Sequence, residues 1–177
     1  MRNHAIMKMA AAGALAVTMM AAPGLMKAQQ GGATILTPAD TQKLLPASVY
    51  YGGQSATTQV RNSGGVKFAD GHYVLATLVD TTGYSAALAS KYQAYFIVEV
   101  PIKLGGHSLA AGIYGAGFVG GRFIVTDVGG HDVLSVKADE DAALKRPLPL
   151  QIVADAAGGF RLYAGRKFVS FSRSGRV

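Results

Sequence analysis

The sequence predicts an all-β domain, an antiparallel β-sandwich or small barrel carrying two or three short helices. Three observations carry that expectation. Runs rich in β-branched and aromatic residues recur along the chain, which is the pattern of strands rather than helices. Seven Gly-Gly pairs punctuate it, and those at 105–106, 120–121, 129–130 and 158–159 fall between such runs, where two-residue hairpin turns demand positive φ. Finally, Ala94, Phe96, Val98 and Val100 share one face of a segment whose other face takes Gln93 and Glu99, the period of two of a half-buried strand.

The first segment lies outside that domain. Arg2 and Lys8, with no acid beside them, precede Met9–Met20, an Ala-, Met- and Leu-containing stretch without a charge; these read as the n-region and h-region of a secretory signal peptide. Pro23 and Gly24 break a helix, Lys27 ends the apolar run, and Ala28 offers a signal peptidase a small residue. Residues 1–28 are therefore expected to be removed, although Met26 spoils the Ala-x-Ala pattern and keeps cuts near Ala21 or Ala22 open. The competing reading is an uncleaved anchor, since Met9 to Met26 is 18 residues and a spanning helix needs about 20. The breakers, and the weak hydrophobicity of Ala and Gly, favour cleavage. The expected location is periplasmic or extracellular, with no membrane span once the signal is gone. A lipid anchor on cysteine is excluded, because the chain has none.

Residues 29–36, rich in Gln, Gly, Ala and Thr, are expected to be a flexible leader, and 37–177 a single β-rich domain. Thr37-Pro38-Ala39-Asp40 reads as a helix start, with Thr37 capping, Pro38 at the first helical position and Asp40 completing a capping box; Pro46 keeps that helix short. Strands are expected at His72–Val79, apolar on both faces and so central, and at Gln93–Val100. Others follow at Arg122–Val128, Asp132–Lys137, Leu150–Asp155, Phe160–Ala164 and Lys167–Ser172, with weaker signals at Val49–Tyr51, Thr57–Arg61 and Ile113–Val119. Two more short helices are expected, at Ser85–Tyr92 and at Asp139–Lys145, the latter because its acids lead and Lys145-Arg146 close it, as the helix dipole favours.

Removal of the signal leaves 149 of the 177 residues, and the formal net charge falls from +7 to +4 because Arg2, Lys8 and Lys27 leave while all ten acids stay. A chain of that length buries roughly 68–70% of its unfolded surface, enough for a core without staples. An exported protein has access to disulfides; this one must hold together by packing and backbone hydrogen bonds.

Gly115-Ala116-Gly117-Phe118-Val119-Gly120 matches the dinucleotide fingerprint G-x-G-x-x-G letter for letter. The physics of that fingerprint requires a helix after the glycines to face a pyrophosphate. Here strand-formers, Arg122 to Thr126, lead to another Gly-Gly pair, so a hairpin is expected and no cofactor. The metal candidate is Asp127 with His131 and Asp132, a carboxylate and an imidazole at neighbouring turn positions, though without paired His or Cys spacing. No G-x-S-x-G elbow is present, and Ser85 and Ser63 come nearest to one. A pair of catalytic carboxylates would have to be drawn from Glu99, Asp127, Asp80 and Asp132, of which Glu99 draws notice by interrupting an apolar strand. Of eight tyrosines, Tyr50, Tyr51, Tyr73, Tyr92, Tyr95, Tyr114 and Tyr163 fall in or beside strands, where they either fill a core or line a ligand cleft. Arg161, Arg166, Lys167, Arg173 and Arg176 all follow the last acid, Asp155. They offer a patch for an anionic partner by summed Coulomb attraction, or a solvated edge.

Lys103-Leu104-Gly105-Gly106-His107-Ser108-Leu109-Ala110-Ala111-Gly112-Ile113-Tyr114 resembles a unit of exported bacterial β-sandwich proteins, in which a glycine turn leads into Leu-Pro-Ala-Gly-Thr-Tyr and then a strand. Ala110 and Ile113 depart from it. The mature chain as a whole resembles short secreted bacterial proteins of unknown function, a resemblance that implies export and a β fold and brings no catalytic residue. The expectation is an exported, non-enzymatic module binding an apolar small molecule or an anionic envelope component. The alternatives are an envelope hydrolase using acids such as Glu99 or Asp127, and a structural or assembly protein. Export and the lack of an aromatic-basic binding motif argue against nucleic acid.

Overall fold

Both glycines at 105–106 and at 120–121 have positive φ, the latter pair at 55° and 76°, the type I′ geometry that returns a strand along its neighbour. In a computed structural model, which describes residues 29, 30 and 32–175, the result is an all-β, sandwich-like fold of two antiparallel sheets with two short helices. The expected signal peptide lies outside the described residues.

The large sheet runs β1 (Gln29–Gln30), β2 (Ala33–Leu36), β4 (Gln54–Lys67), β5 (Tyr73–Val79), β6 (Ala94–Val98), β9 (Gly112–Val119), β10 (Arg122–Thr126) and β11 (Asp132–Lys137), with β3 (Ser48–Tyr51) paired to the first part of β4. The small sheet runs β13 (Gln151–Ala154), β14 (Phe160–Ala164), β15 (Lys167–Arg173), β7 (Ile102–Leu104) and β8 (His107–Leu109), with β12 (Asp139–Glu140) paired to β15. Helix α1 (Pro38–Thr41) starts on the expected capping box, with the Thr37 amide donating to Asp40 at 3.1 Å and the Asp40 amide to Thr37 Oγ1 at 3.3 Å. Helix α2 (Ala86–Lys91) is capped by Ser85.

Two expectations are corrected. The flexible leader is instead occupied by strands: β1 pairs β2, and Thr34, Ile35 and Leu36 pair Lys67, Val66 and Gly65. Alternation is weak over four residues, so the ladder with β4 rather than local sequence makes this strand. No helix forms at Asp139–Lys145 either. Asp139 and Glu140 pair Phe168 and Lys167, the Asp141 amide donates to the Arg166 carbonyl at 2.9 Å, and a turn follows, so tertiary pairing overrides a favourable charge pattern. Strand β4 also extends past both ends of the expected Thr57–Arg61, broken by a register shift between Gln59 and Ser63.

Between the sheets, Val66, Val74, Ala76, Phe96, Val98, Phe118, Phe123 and Val125 from the large sheet meet Ile102, Leu104, Ile152, Phe160, Leu162, Val169 and Phe171 from the small one. Each fully buried aliphatic or aromatic side chain contributes about 1.5–3 kcal/mol. One small gap, lined by residues such as Leu78, Ala116, Phe123 and Leu162, measures about 10 Å³, near the size of a single water probe.

A second, smaller core lies on the outer face of the large sheet, where Val49, Tyr51, Ala56, Val79 and Tyr92 gather with Tyr84, Leu88 and Tyr95 against it. The first two glycines of the dinucleotide-like run make this possible. A Cβ on Gly117 would stand 2.7 Å from the Lys91 carbonyl oxygen at the end of α2, and one on Gly115 would stand 2.7 Å from the Tyr51 ring and 2.8 Å from Tyr92. Gly120 belongs to the β9–β10 turn. The exposed edge of β11 is guarded by Arg122, whose guanidinium donates to the Ser135 carbonyl and hydroxyl, each at 2.6 Å, occupying an acceptor that another strand would use.

Gly117→Ala is expected to lose about 2–3 kcal/mol of unfolding free energy in urea, since the backbone of α2 must move to admit the methyl, with a changed tyrosine near-ultraviolet circular dichroism signal. Gly121→Ala, whose Cβ would meet nothing within 4 Å but whose φ is 76°, should lose about 1–2 kcal/mol and leave that signal alone. An unperturbed tyrosine spectrum in Gly117→Ala would contradict the tight seating of α2.

Candidate functional site

The carboxylates singled out in the sequence are each committed to a local task. Asp127 Oδ1 accepts the amides of Gly129 and His131, both at 2.9 Å, and Oδ2 lies 3.1 Å from His131 Nδ1. The His131 amide, followed by its ring, draws the Asp127 carboxyl below its ordinary range. Asp132 turns away from them and binds Lys91 Nζ at 2.7 and 3.0 Å, because successive residues entering a strand point to opposite sides. The expected cation trio is thus divided, and among the described residues no group of three His, Asp or Glu side chains is placed to share an ion. Glu99 Oε2 accepts the Tyr73 amide at 2.8 Å, fastening the start of β5. Asp80 holds the turn past the other end of β5 through the Thr82 amide at 3.0 Å, roughly 20 Å along the strand from Glu99.

The tyrosines do not converge on a cleft. Tyr51 and Tyr92 stack with centroids 3.6 Å apart, and Tyr84 stands edge-on to both. The Tyr51 hydroxyl pairs with Thr126; burial raises its pKa, the Thr126 bond opposes that rise, and the nearby Asp127 and Asp132 add to it. The Tyr92 hydroxyl is buried and has no hydrogen-bond partner among the described residues. Tyr163 is buried and bonded to Asp141, Tyr114 donates to the Ala110 carbonyl, and Tyr50 stands alone at 71% exposure.

The basic tail is largely engaged. Arg161 Nε donates to Asp155 Oδ2 at 2.9 Å, with its guanidinium 4.5 Å from the Phe168 ring centroid. Asp155, 5% exposed, also accepts from Ser170 and from the Ala157 amide, each at 3.1 Å. The Arg161 contact is the main reason its carboxyl sits below the usual range. Arg166 donates to the carbonyls of Ala142 and Leu144. Lys167 is exposed, and Arg176 lies outside the described residues. Arg173 shares the inward parity of Val169 and Phe171, opposite to that of Arg161, so it leaves the surface patch for the open end of the sandwich.

There it forms one wall of the largest cleft described, about 470 Å³. Ala33 from the large sheet and Phe68 and Ala69 from its β4–β5 turn face Phe160, Ser172 and Arg173 from the small sheet, beside the Gly158-Gly159 turn. Phe68 and Phe160 meet edge-on with centroids 6.1 Å apart. The Arg173 guanidinium lies 5.3 Å from the Phe68 centroid, and its Nη2 reaches Asp70 Oδ2 at 2.5 Å. That contact, followed by weaker bonds from His72, holds the Asp70 carboxyl far below its usual range. A second cleft of about 260 Å³ lies at the β4 bulge, between Arg61, Asn62 and the segment from Leu148 to Ile152. Sequence reasoning named Arg173 but missed Phe68, Phe160 and Asp70. The only available signal was the turn Asp70-Gly71-His72 following a long strand.

No protein-family model, curated protein or solved structure matches this chain.

Tyr92→Phe is expected to leave stability unchanged or raise it by up to about 1 kcal/mol, whereas Tyr51→Phe, which loses the bond to Thr126, should cost about 1 kcal/mol; urea unfolding of both variants separates them. Asp155→Asn should cost about 2 kcal/mol at pH 7. Because the folded-state pKa of Asp155 is lowered, its contribution is complete above the unfolded value near 4 and disappears as pH falls through the folded one. The gap between wild type and variant should therefore close progressively below about pH 4, and a constant gap would contradict the assignment.

Proposed function

We propose that this chain is an exported binding domain of the cell envelope or its surroundings, not an enzyme, and that its ligand sits in the cleft at the mouth of the sandwich. One observation carries the reading: a cleft of about 470 Å³ combines an apolar floor of Phe68 and Phe160 with a cation, Arg173, at its rim. This is the make-up of small-molecule sites, mostly apolar with few placed polar groups and volumes of about 300–1,000 Å³. The packed apolar interior between the sheets supports placing the ligand at the mouth rather than inside. Glu99 and Asp80 stand at opposite ends of β5, and Asp127 and Asp132, which flank one turn, are each taken by a different partner, His131 and Lys91; this supports binding over hydrolysis, which needs two carboxyl groups directed at one substrate bond. Export rests on the charge and apolar pattern of residues 1–28.

Mass spectrometry of the protein recovered from the envelope tests both halves. Under denaturing conditions the mass should correspond to a chain beginning at Gln29, and a 177-residue mass in the exported fraction would overturn export. For the cleft, an apolar fluorescent dye should bind the wild-type protein. Ala69→Trp, at an exposed lining position, should abolish that binding without changing the fold. Dye binding that survives Ala69→Trp would place the site elsewhere.

A further inference from the structure

We propose that the mouth cleft selects an amphiphilic carboxylate, with its apolar body against Phe68 and Phe160 and its carboxylate on the Arg173 guanidinium; this rests on the cleft being the binding site. The floor presents carbon. Ala33, Phe68 and Phe160 all belong to the inter-sheet core, so a hydrocarbon chain laid there continues the core outward and loses contact with water, which is the favourable term for any apolar body. No tyrosine is among the residues lining this surface, and the carboxylate at its rim, Asp70, is already held by Arg173.

The rim supplies the head-group chemistry. A guanidinium carries five N–H donors in a planar fork. Among the described residues, Arg173 spends its charge on one Nη2 contact with Asp70 and on the Phe68 ring face. The remaining donors are the geometry that a carboxylate accepts in pairs. Asp70 does not compete absolutely, because it has a second partner: His72 offers Nδ1 at 3.1 Å and its amide at 3.4 Å. The guanidinium can therefore turn part of its fork to an incoming carboxylate while Asp70 stays hydrogen-bonded. A cationic amphiphile would meet like charge at the rim, and a neutral one would leave the fork unanswered. Overhead, Gly158 leaves open space where a Cβ would stand, so the turn does not crowd a head group.

The test is calorimetric titration of the signal-free protein with decanoate, decanol and decylammonium as probes, on wild type, Asp70→Asn, Arg173→Gln and Ala69→Trp. Decanoate should bind at least tenfold tighter than decanol, the size of one charge-assisted bond, and decylammonium weakest of all. Arg173→Gln should bring decanoate to the level of decanol. Since that variant also removes a tie between the sheets, Asp70→Asn keeps the proposal falsifiable: it leaves the guanidinium in place, frees it of its competitor, and should tighten decanoate severalfold. Equal binding of decanoate and decanol to wild type, both blocked by Ala69→Trp, would overturn the carboxylate preference while the cleft stands. Binding of no probe, or binding indifferent to Ala69→Trp, would overturn the cleft and the proposal together.

Discussion

Everything in this fold depends on two sheets pressing apolar faces together without a covalent staple. The chain has no cysteine, so the contact of Phe96, Phe118 and Phe123 with the Leu162, Val169 and Phe171 side of the core must supply what disulfides give many small domains. Such an interface tolerates no slack: interiors pack at crystal-like density, and lost volume on one side is lost attraction on the other. Burial alternates along β6 accordingly, with Ala94, Phe96 and Val98 turned into the core.

A filled interior dictates where function can reside. A barrel or sandwich that carries a ligand inside must leave volume there, and this one has spent it on stability. What remains is the perimeter, and the perimeter has two kinds of end. At the end carrying α2, the tyrosine stack and the β3–β4 hairpin cover the sheet, and the charged groups there, Lys91 with Asp132 and Asp127 with His131, satisfy one another. At the other, Phe68 and Phe160 line an opening where Arg173 reaches Asp70.

How much of this could be read from the residues follows from the range of the forces involved. Turn glycines, the Thr37 capping box and the alternation of Ala94 to Val98 are local, and the chain shows them openly. The strand at Ala33–Leu36 and the pairing of Asp139–Glu140 are not local, because each exists only through a partner distant in sequence. The glycines at 115 and 117 are the instructive case. They were legible as a hairpin approach, but their spacing serves the seating of α2 and the Tyr51–Tyr92 stack, which no reading of neighbours reveals. Charge misleads for the same reason. Five basic residues after the last acid look like a patch, yet Asp155 from the preceding turn takes Arg161 and Asp70 from the opposite sheet takes Arg173. Sequence displays charges and hides their partners. The cleft's aromatic floor was hidden likewise, since Phe68 and Phe160 meet only when the two sheets do.

The two arginine pairs also differ in what they are free to do. Asp155 is nearly enclosed and accepts from Arg161, Ser170 and the Ala157 amide at once, so that network is fixed: a buried carboxylate deprived of its cation would be costly, and Arg161 cannot turn elsewhere. Asp70 and Arg173 stand partly in solvent, with Arg173 30% exposed, where water screens the attraction and a pair adds little to folding. A residue whose contact contributes little to stability can be redirected without endangering the fold. Of the three arginines that gather after Asp155 and are described, Arg161 and Arg166 are locked by carboxylate and carbonyl oxygens. Arg161 and Arg173 are equally exposed and each lies over an aromatic ring, so what separates them is the partner: Asp155 is 5% exposed and Asp70 21%.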